Sequence, residues 1–209
     1  MPTNRLNPHR RILLGASSLA LLAPSWARAQ APTAQAVTFI QQAGQDLARL
    51  VGGARSVEEK RRKLQPFIDR VVDVDAVARF CLGRYWAKAT PAQRTEYVRL
   101  FHSVLLTNVV SRMGDYQHTE VHVIVGQPDA REDGVHVPTV VERTNNPPAR
   151  VVWLVRPDQG DPRIVDVIAE GTSLRLTVRS DYNAFLSQHG NDIDALIAAL
   201  RRQEAQNAG

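Results

Sequence analysis

Six histidines, one cysteine and a carboxylate set among valines are the side chains of this 209-residue chain best suited to chemistry. The histidines are His9, His102, His118, His122, His136 and His189. None stands in an HExxH or Cys/His metal-binding spacing. His118 and His122 share a parity along one alternating apolar stretch and His136 falls on the next, the ordinary pattern of solvent-facing strand histidines, so no metal is expected. Cys81 is the single cysteine and cannot form an internal disulfide. It lies between Phe80 and Leu82 with no histidine nearby, and reads as a small buried apolar residue rather than a nucleophile. There is no Gly-rich phosphate loop and no G-x-S-x-G, and Ser173 after Glu-Gly-Thr reads as a helix cap. Asp166 is the sharpest candidate, set between Val165 and Val167 and sharing a strand parity with Ile164 and Ile168. Such a carboxylate is either a general base with a raised pKa, suited to an isomerase in a cone-shaped fold, or a structural acid satisfied by an arginine or backbone donors. A single carboxylate without an oxyanion donor favours the structural role, so neither enzymatic activity nor a cofactor is expected.

The N-terminus changes the charge arithmetic. Residues 1–29 carry four arginines and no acid, then the apolar run "ILLGASSLALLA" and "PSWARA", with Ala27 and Ala29 in a small-x-small arrangement. This reads as a cleaved secretory leader. A membrane anchor needs roughly 20 apolar residues, more than this run supplies. Arg10-Arg11 suits either a twin-arginine signal or a Sec leader. Without the leader 22 basic residues face 21 acidic ones, so the formal charge of +5 shrinks and nucleic acid is not the expected partner. Residues 30–203 suffice for one domain with its own core, and 204–209 read as a polar tail.

The elements follow from periodicity. Phe39, Ile40, Ala43, Leu47 and Leu50 fall at helical spacing over residues 37–51, and Gly52-Gly53 stops them. Ser56-Val57-Glu58-Glu59 is a capping box; the basic run 60–63 behind it reads as a solvated face, and Pro66 as an interruption. Asp73 starts a third helix that Gly83 ends. Thr90-Pro91-Ala92-Gln93 starts a fourth, reaching about residue 113, with Tyr97, Leu100, Phe101, Val104 and Leu105 on its apolar face. The period then becomes two over 121–125, 135–143, 150–156 and 163–169, with turn-rich connections between. Pro138 should mark an edge or a bulge. Ser173 and Asn191 should cap the last two helices. The fold class is α+β: an antiparallel sheet of about four strands covered by N- and C-terminal helices. On the third strand Val151, Trp153 and Val155 occupy one face, Val152 and Leu154 the other. Both faces want apolar cover, from helices or from something apolar that is not protein.

Three stretches, "LGRYWAKATPAQRTEYVRLF", "VPTVVERTNNPPARVVWLV" and "VDVIAEGTSL" with Tyr182 eight residues beyond Leu174, resemble the MlaC family of periplasmic phospholipid carriers, also described as toluene-tolerance auxiliary proteins. The resemblance runs from about Phe39 to Leu200; Val109 stands where relatives commonly carry a tyrosine, and Arg163 where an aromatic is usual. It implies a monomeric periplasmic carrier, cone-like with an apolar lipid cavity. Such a carrier shuttles phospholipid between an inner-membrane ABC transporter complex and an outer-membrane lipoprotein–porin complex. A hopanoid or other polycyclic lipid is the alternative cargo. Acyl chains need large apolar side chains and no polar active site, since each buried methylene contributes roughly 0.8 kcal/mol. The expected lining is Phe80, Trp86, Tyr97, Phe101, Leu105, Val123, Val137, Trp153, Val155 and Leu174, in a cavity between the sheet and the helix opened by Thr90-Pro91. Aromatics at helical spacing also serve as ordinary core.

The leader reading is tested by N-terminal sequencing of the exported protein. The expected mature terminus is Gln30, and an uncleaved exported chain would remove it.

Overall fold

The computed structural model describes residues 25–52, 56–112, 121–143, 146–156 and 160–206. The leader apart from its last residues lies outside them, as do Gly53, Met113 and His118. Helix α1 spans Ser25–Gly52, longer than its periodic core suggests. Its buried positions Ala36, Ile40 and Ala43 follow i, i+4, i+7 spacing, and the two alanines let it lie close to the sheet. Ser56 accepts a 3.1 Å bond from the Glu59 amide and opens α2, Val57–Val71. This helix runs through Pro66 instead of stopping there. Pro66 and Arg62, whose carbonyl loses its i+4 donor, are both exposed, so water can take the place of the lost bond. The basic run is only partly solvated: Arg61 donates to Thr107 Oγ1 at 2.9 Å and Ser103 Oγ at 3.1 Å, tying α2 to the fourth helix.

Asp73 Oδ1 caps α3, Val74–Leu82, by accepting from the Ala76 amide at 3.0 Å, and a 3₁₀ turn, Gly83–Tyr85, follows. Thr90 and Gln93 cap each other reciprocally at 3.2 and 2.9 Å, opening α4, Pro91–Arg112. Ser173 Oγ accepts from the Leu176 amide at 3.2 Å and starts α5, Leu174–Gln188. Asn191 does not cap the last helix. It sits at φ +62°, its Oδ1 accepts the Tyr85 hydroxyl at 2.6 Å, and Asp192 accepts the Asp194 amide instead. Helix α6 spans Ile193–Gln206, and Glu204 within it pairs with Arg99 on α4 at 3.0 Å.

Six antiparallel strands form one sheet: β1 (Val121–Val125), β2 (Asp129–Arg131), β3 (Gly134–Arg143), β4 (Asn146–Arg156), β5 (Arg163–Ala169) and β6 (Thr172–Ser173). The order is β1-β3-β4-β5-β6, with β2 also on β3. The four periodic stretches are thus strands, joined by two short ones whose two or three residues are too few to show a period. Pro138 sits where pairing of β3 passes from β1 to β2, so its missing N–H costs no ladder bond, while its carbonyl accepts the Gly126 amide at 2.8 Å. Among the described residues no helix is long and apolar enough to cross a membrane.

Two apolar clusters fill the molecule. One joins α3, α4, α5 and α6 around Tyr97, Leu100, Leu186 and Leu196. The other joins α1, α2 and the later part of α4, at Leu106 and Val110, to the inner face of the sheet. Leu105 and Val74 pack against both.

Gly134 carries the strictest backbone constraint, with φ +138° and a would-be Cβ 2.6 Å from the Val155 carbonyl oxygen. Gly134→Ala should lower the unfolding free energy by about 2 kcal/mol or more in urea titrations. Gly44, mid-helix with nothing within 4 Å of its Cβ position, should give a gain of about 0.5–1 kcal/mol when replaced by alanine.

Candidate functional site

The inner face of the sheet is apolar along its length but is sealed only at one end. On β3, Val135, Val137 and Thr139 are 3, 0 and 3% exposed, whereas Val141, the next residue of that face, is half-buried. On β4, Val155 is fully buried, while Trp153, Val151 and Ala149 are half-buried. Register aligns these gradients: Val135 opposes Val155, Val137 opposes Trp153, Thr139 opposes Val151 and Val141 opposes Ala149. Val123 on β1 opposes Val141 and is 46% exposed. The cover given to this face by helices α1, α2 and α4 therefore thins like a wedge, complete at Val135 and Val155 and incomplete toward Val123, Val141 and Val151. Trp153 brings the main polar atom to it. Its Nε1 donates to Thr139 Oγ1 at 3.0 Å, and that hydroxyl donates to the Val151 carbonyl at 3.0 Å. The pair satisfies itself within the sheet and leaves an apolar ring on the wedge.

The residues expected to share one lining are divided between the clusters. Val137, Val155 and Trp153 belong to the wedge, and Leu105 reaches it from α4. Val123 lies at the open end, because β1 is an edge strand there. Tyr97 and Phe101 lie in the helical cluster, on the far side of α4 from the sheet. Tyr97, Phe101 and Tyr182 form an aromatic triangle with centroids 6.0, 6.2 and 6.5 Å apart, and the Tyr97 hydroxyl donates to the Ala78 carbonyl at 2.9 Å. Burial pushes the Tyr97 hydroxyl pKa above its ordinary range. Phe80 and Trp86 pack at the edge of that cluster, and Leu174, the first residue of α5, is 45% exposed. The division follows from α4, which is buried on two sides: Tyr97, Leu100, Phe101 and Val104 toward the helices, Leu106 and Val110 toward the sheet.

The reactive candidates lie elsewhere. A bulge between Leu154 and Val155 turns Ile164 and Val167 into the wedge and leaves Asp166 opposite Leu154 on the outer face. Asp166 and Ile164 therefore do not share a face. The Asp166 carboxylate accepts from the Val167 amide (2.8 Å), the Ser173 hydroxyl (2.6 Å) and the Arg175 amide (3.1 Å), and lies 3.3 Å from Arg175 Nε. It is an anchor for the start of α5, with both oxygens engaged. Burial pushes the Cys81 thiol up to about 12, so it stays protonated at neutral pH. His122 and His136 share the outer face, but His122 opposes Glu142, six residues along β3 from His136, which separates them by roughly 20 Å. Among the described residues no three metal-ligating side chains gather.

The profile of the family described as MlaC protein matches residues 39–202, most of the chain. The chain belongs to the MlaC family. Its fold is similar to that of a phospholipid-binding protein from Ralstonia solanacearum solved in complex with a phospholipid, with a TM-score of 0.72 and 19% identity. The match covers 82% of this chain and 98% of that one. At this identity the likeness establishes a shared architecture, a mixed fold whose open antiparallel sheet is flanked by N- and C-terminal helices.

This MlaC family member also carries two adjoining surface grooves that sequence reasoning missed. One, of about 820 Å³, runs along Asp69, Asp73, Asp161, His102 and Arg163. Arg163 donates to the Asp69 carbonyl at 2.6 Å, bracing β5 on α2. The other, of about 1140 Å³, is walled by Phe80 and Trp86 with Arg79, Arg84, Arg94 and Arg179. Asp75, Val98 and Arg156 are common to both. No local signal announced the second groove, since its arginines come from α3, the 3₁₀ turn, α4, β4 and α5.

Removing the Asp166 charge tests its anchoring role. Asp166→Asn should cost about 1–3 kcal/mol of unfolding free energy, because the Val167 and Arg175 amides, the Ser173 hydroxyl and the Arg175 guanidinium lose a charged acceptor. A variant as stable as the wild type in chemical denaturation would dismiss that role.

Proposed function

We propose that this chain is a phospholipid-binding carrier that holds acyl chains in the wedge and leaves the headgroup at its open end. The observation that carries the reading is the burial gradient along β3 and β4: the inner face stays apolar while its cover gives out. Membership of the MlaC family and the phospholipid held by the structural neighbour support the same reading. Burying a dozen methylenes would contribute on the order of 10 kcal/mol, enough to extract a lipid from a competing apolar phase when most of each chain is covered. A carrier needs this and no general base. Asp166 faces away from the wedge with its acceptors filled, which disfavours an isomerase built on it.

The fuller reading places the mature chain, from Gln30, in the periplasm as a monomer. It would exchange phospholipid with an inner-membrane ABC transporter complex and an outer-membrane lipoprotein–porin complex. Helix α1 is the element suited to yield when cargo enters. It lies on the sheet through Ala36, Ile40 and Ala43, and small side chains release less dispersion energy on separation than large ones.

The test is a bulky residue at the mouth. Val151→Trp should leave the thermal midpoint near that of the wild type and reduce co-purifying phospholipid several-fold, measured by mass spectrometry of extracted lipids. Val137→Trp at the sealed end should instead destabilise by roughly 1–3 kcal/mol through overpacking. Undiminished phospholipid in Val151→Trp would refute the wedge as the site, and extraction of a polycyclic lipid alone would replace the cargo.

A further inference from the structure

We propose that the arginine-walled groove beside α3, α4 and α5 is a docking site for an extended acidic segment of a protein partner. The inference is independent of the cargo, because the groove uses Arg94, Thr95 and Val98 near the start of α4, while the wedge uses Leu105, Leu106 and Val110 further along it.

Many surface arginines outside the groove are neutralised: Arg99 by Glu96 and Glu204, Arg201 by Glu96, Arg70 and Arg49 by Asp46, Arg131 by Asp129; Arg62, Arg150 and Arg202 have no carboxylate partner among the described residues but line neither groove. In the groove, Arg79, Arg84, Arg94 and Arg179 pair with no carboxylate among the described residues, and Asp75 is the one acid on its walls. Positive charge is therefore concentrated here on a chain that is nearly balanced without its leader. Four unneutralised guanidinium groups around one recess repel one another, an arrangement that an incoming anion relieves.

The side chains are also held in place. Arg79 and Arg94 lie 5.7 and 5.4 Å from the Trp86 ring, and Arg179 lies 4.8 Å from that of Phe80. Arg94 donates to the Trp86 and Ala87 carbonyls at 3.0 and 3.4 Å, and Arg84 to the Tyr85 hydroxyl at 3.0 Å. Stacked guanidinium groups lose little further entropy on binding and keep N–H donors for bidentate carboxylate contacts. Three features choose among anionic partners. The four arginines line the walls of an open groove of about 1140 Å³, a concave shape that a protruding chain segment can follow and that a flat bilayer surface cannot enter. Trp86 already carries two guanidinium groups where a nucleic-acid base would stack, and Phe80 carries Arg179 and Arg175. The guanidinium fork matches the carboxylates of an acidic peptide.

The experiment uses the exported protein and a fluorescein-labelled decapeptide of alternating glutamate and glycine, followed by anisotropy at low ionic strength. Binding should weaken steeply with added salt. The double variant Arg79→Gln/Arg179→Gln should weaken it at least tenfold, with circular dichroism and phospholipid content unchanged. The control Arg62→Gln/Arg202→Gln removes the same charge from exposed positions outside the groove and should change it less than twofold. No binding, or equal losses in both double variants, would overturn the proposal. So would groove-dependent binding to phosphatidylglycerol vesicles or to a thymidine decanucleotide that exceeds binding to the peptide.

Discussion

One register shift divides the molecule's work between the two faces of its sheet. At Leu154 and Val155 the pairing of β4 with β5 slips by a residue. Before the slip Asp166 sits opposite Leu154 on the outer face; after it Ile164 sits opposite Val155 on the inner one. A regular ladder would place both residues on one side, putting either a carboxylate into the wedge or Ile164 out of its cluster. The bulge lets a short strand be apolar where the helices lie and polar where α5 must be held. From that single irregularity follow the cap of α5, the position of Arg175 over Phe80 at 4.4 Å, and thus one wall of the arginine groove.

Helix α4 is the second determinant, because it is buried on two sides. A helix apolar around most of its girth cannot be described by a single stripe. Its first half packs against α3, α5 and α6, and its second half against the sheet, with Leu105 where the two regions meet. The helical cluster is densely aromatic and closed by the Tyr97 hydroxyl bond to Ala78. Where α1 meets the sheet, cohesion comes from Ala36, Ile40 and Ala43 against the sheet valines, smaller side chains than those of the aromatic triangle.

Much of this was legible in the sequence, for stated reasons. The caps at Ser56, Asp73, Thr90 and Ser173 are local, so residue type and spacing suffice to find them. Four strands announced themselves through alternation, and apolarity on both sides of residues 151–155 pointed to two covered faces. What stayed hidden depends on three-dimensional assembly. The bulge leaves no mark in residue types, so Asp166 and Ile164 seemed to share a side. Pro66 suggested a break, but a proline whose freed carbonyl faces solvent costs a helix little. Asn191 looked like a cap, yet Tyr85, distant in sequence, claims its side chain. The arginine groove draws on five separate elements, and no window of sequence could assemble it.

The polar atoms that remain near the wedge show why it suits cargo better than catalysis. Enzymes that act on carbonyl or enol chemistry keep an unsatisfied donor or acceptor aimed at the reacting atom, and accept the cost of burying it. Here the indole N–H of Trp153 and the hydroxyl of Thr139 are bonded in series to a strand carbonyl, so both are spent within the sheet. In the proposed role, an acyl chain lying across them would meet only apolar surface and break no hydrogen bond on entering or leaving. Because such contact is non-directional, affinity grows with buried length rather than with any particular atom. A carrier must release its cargo to a receiving complex as well as bind it, and a site without directional bonds can be emptied gradually, methylene by methylene.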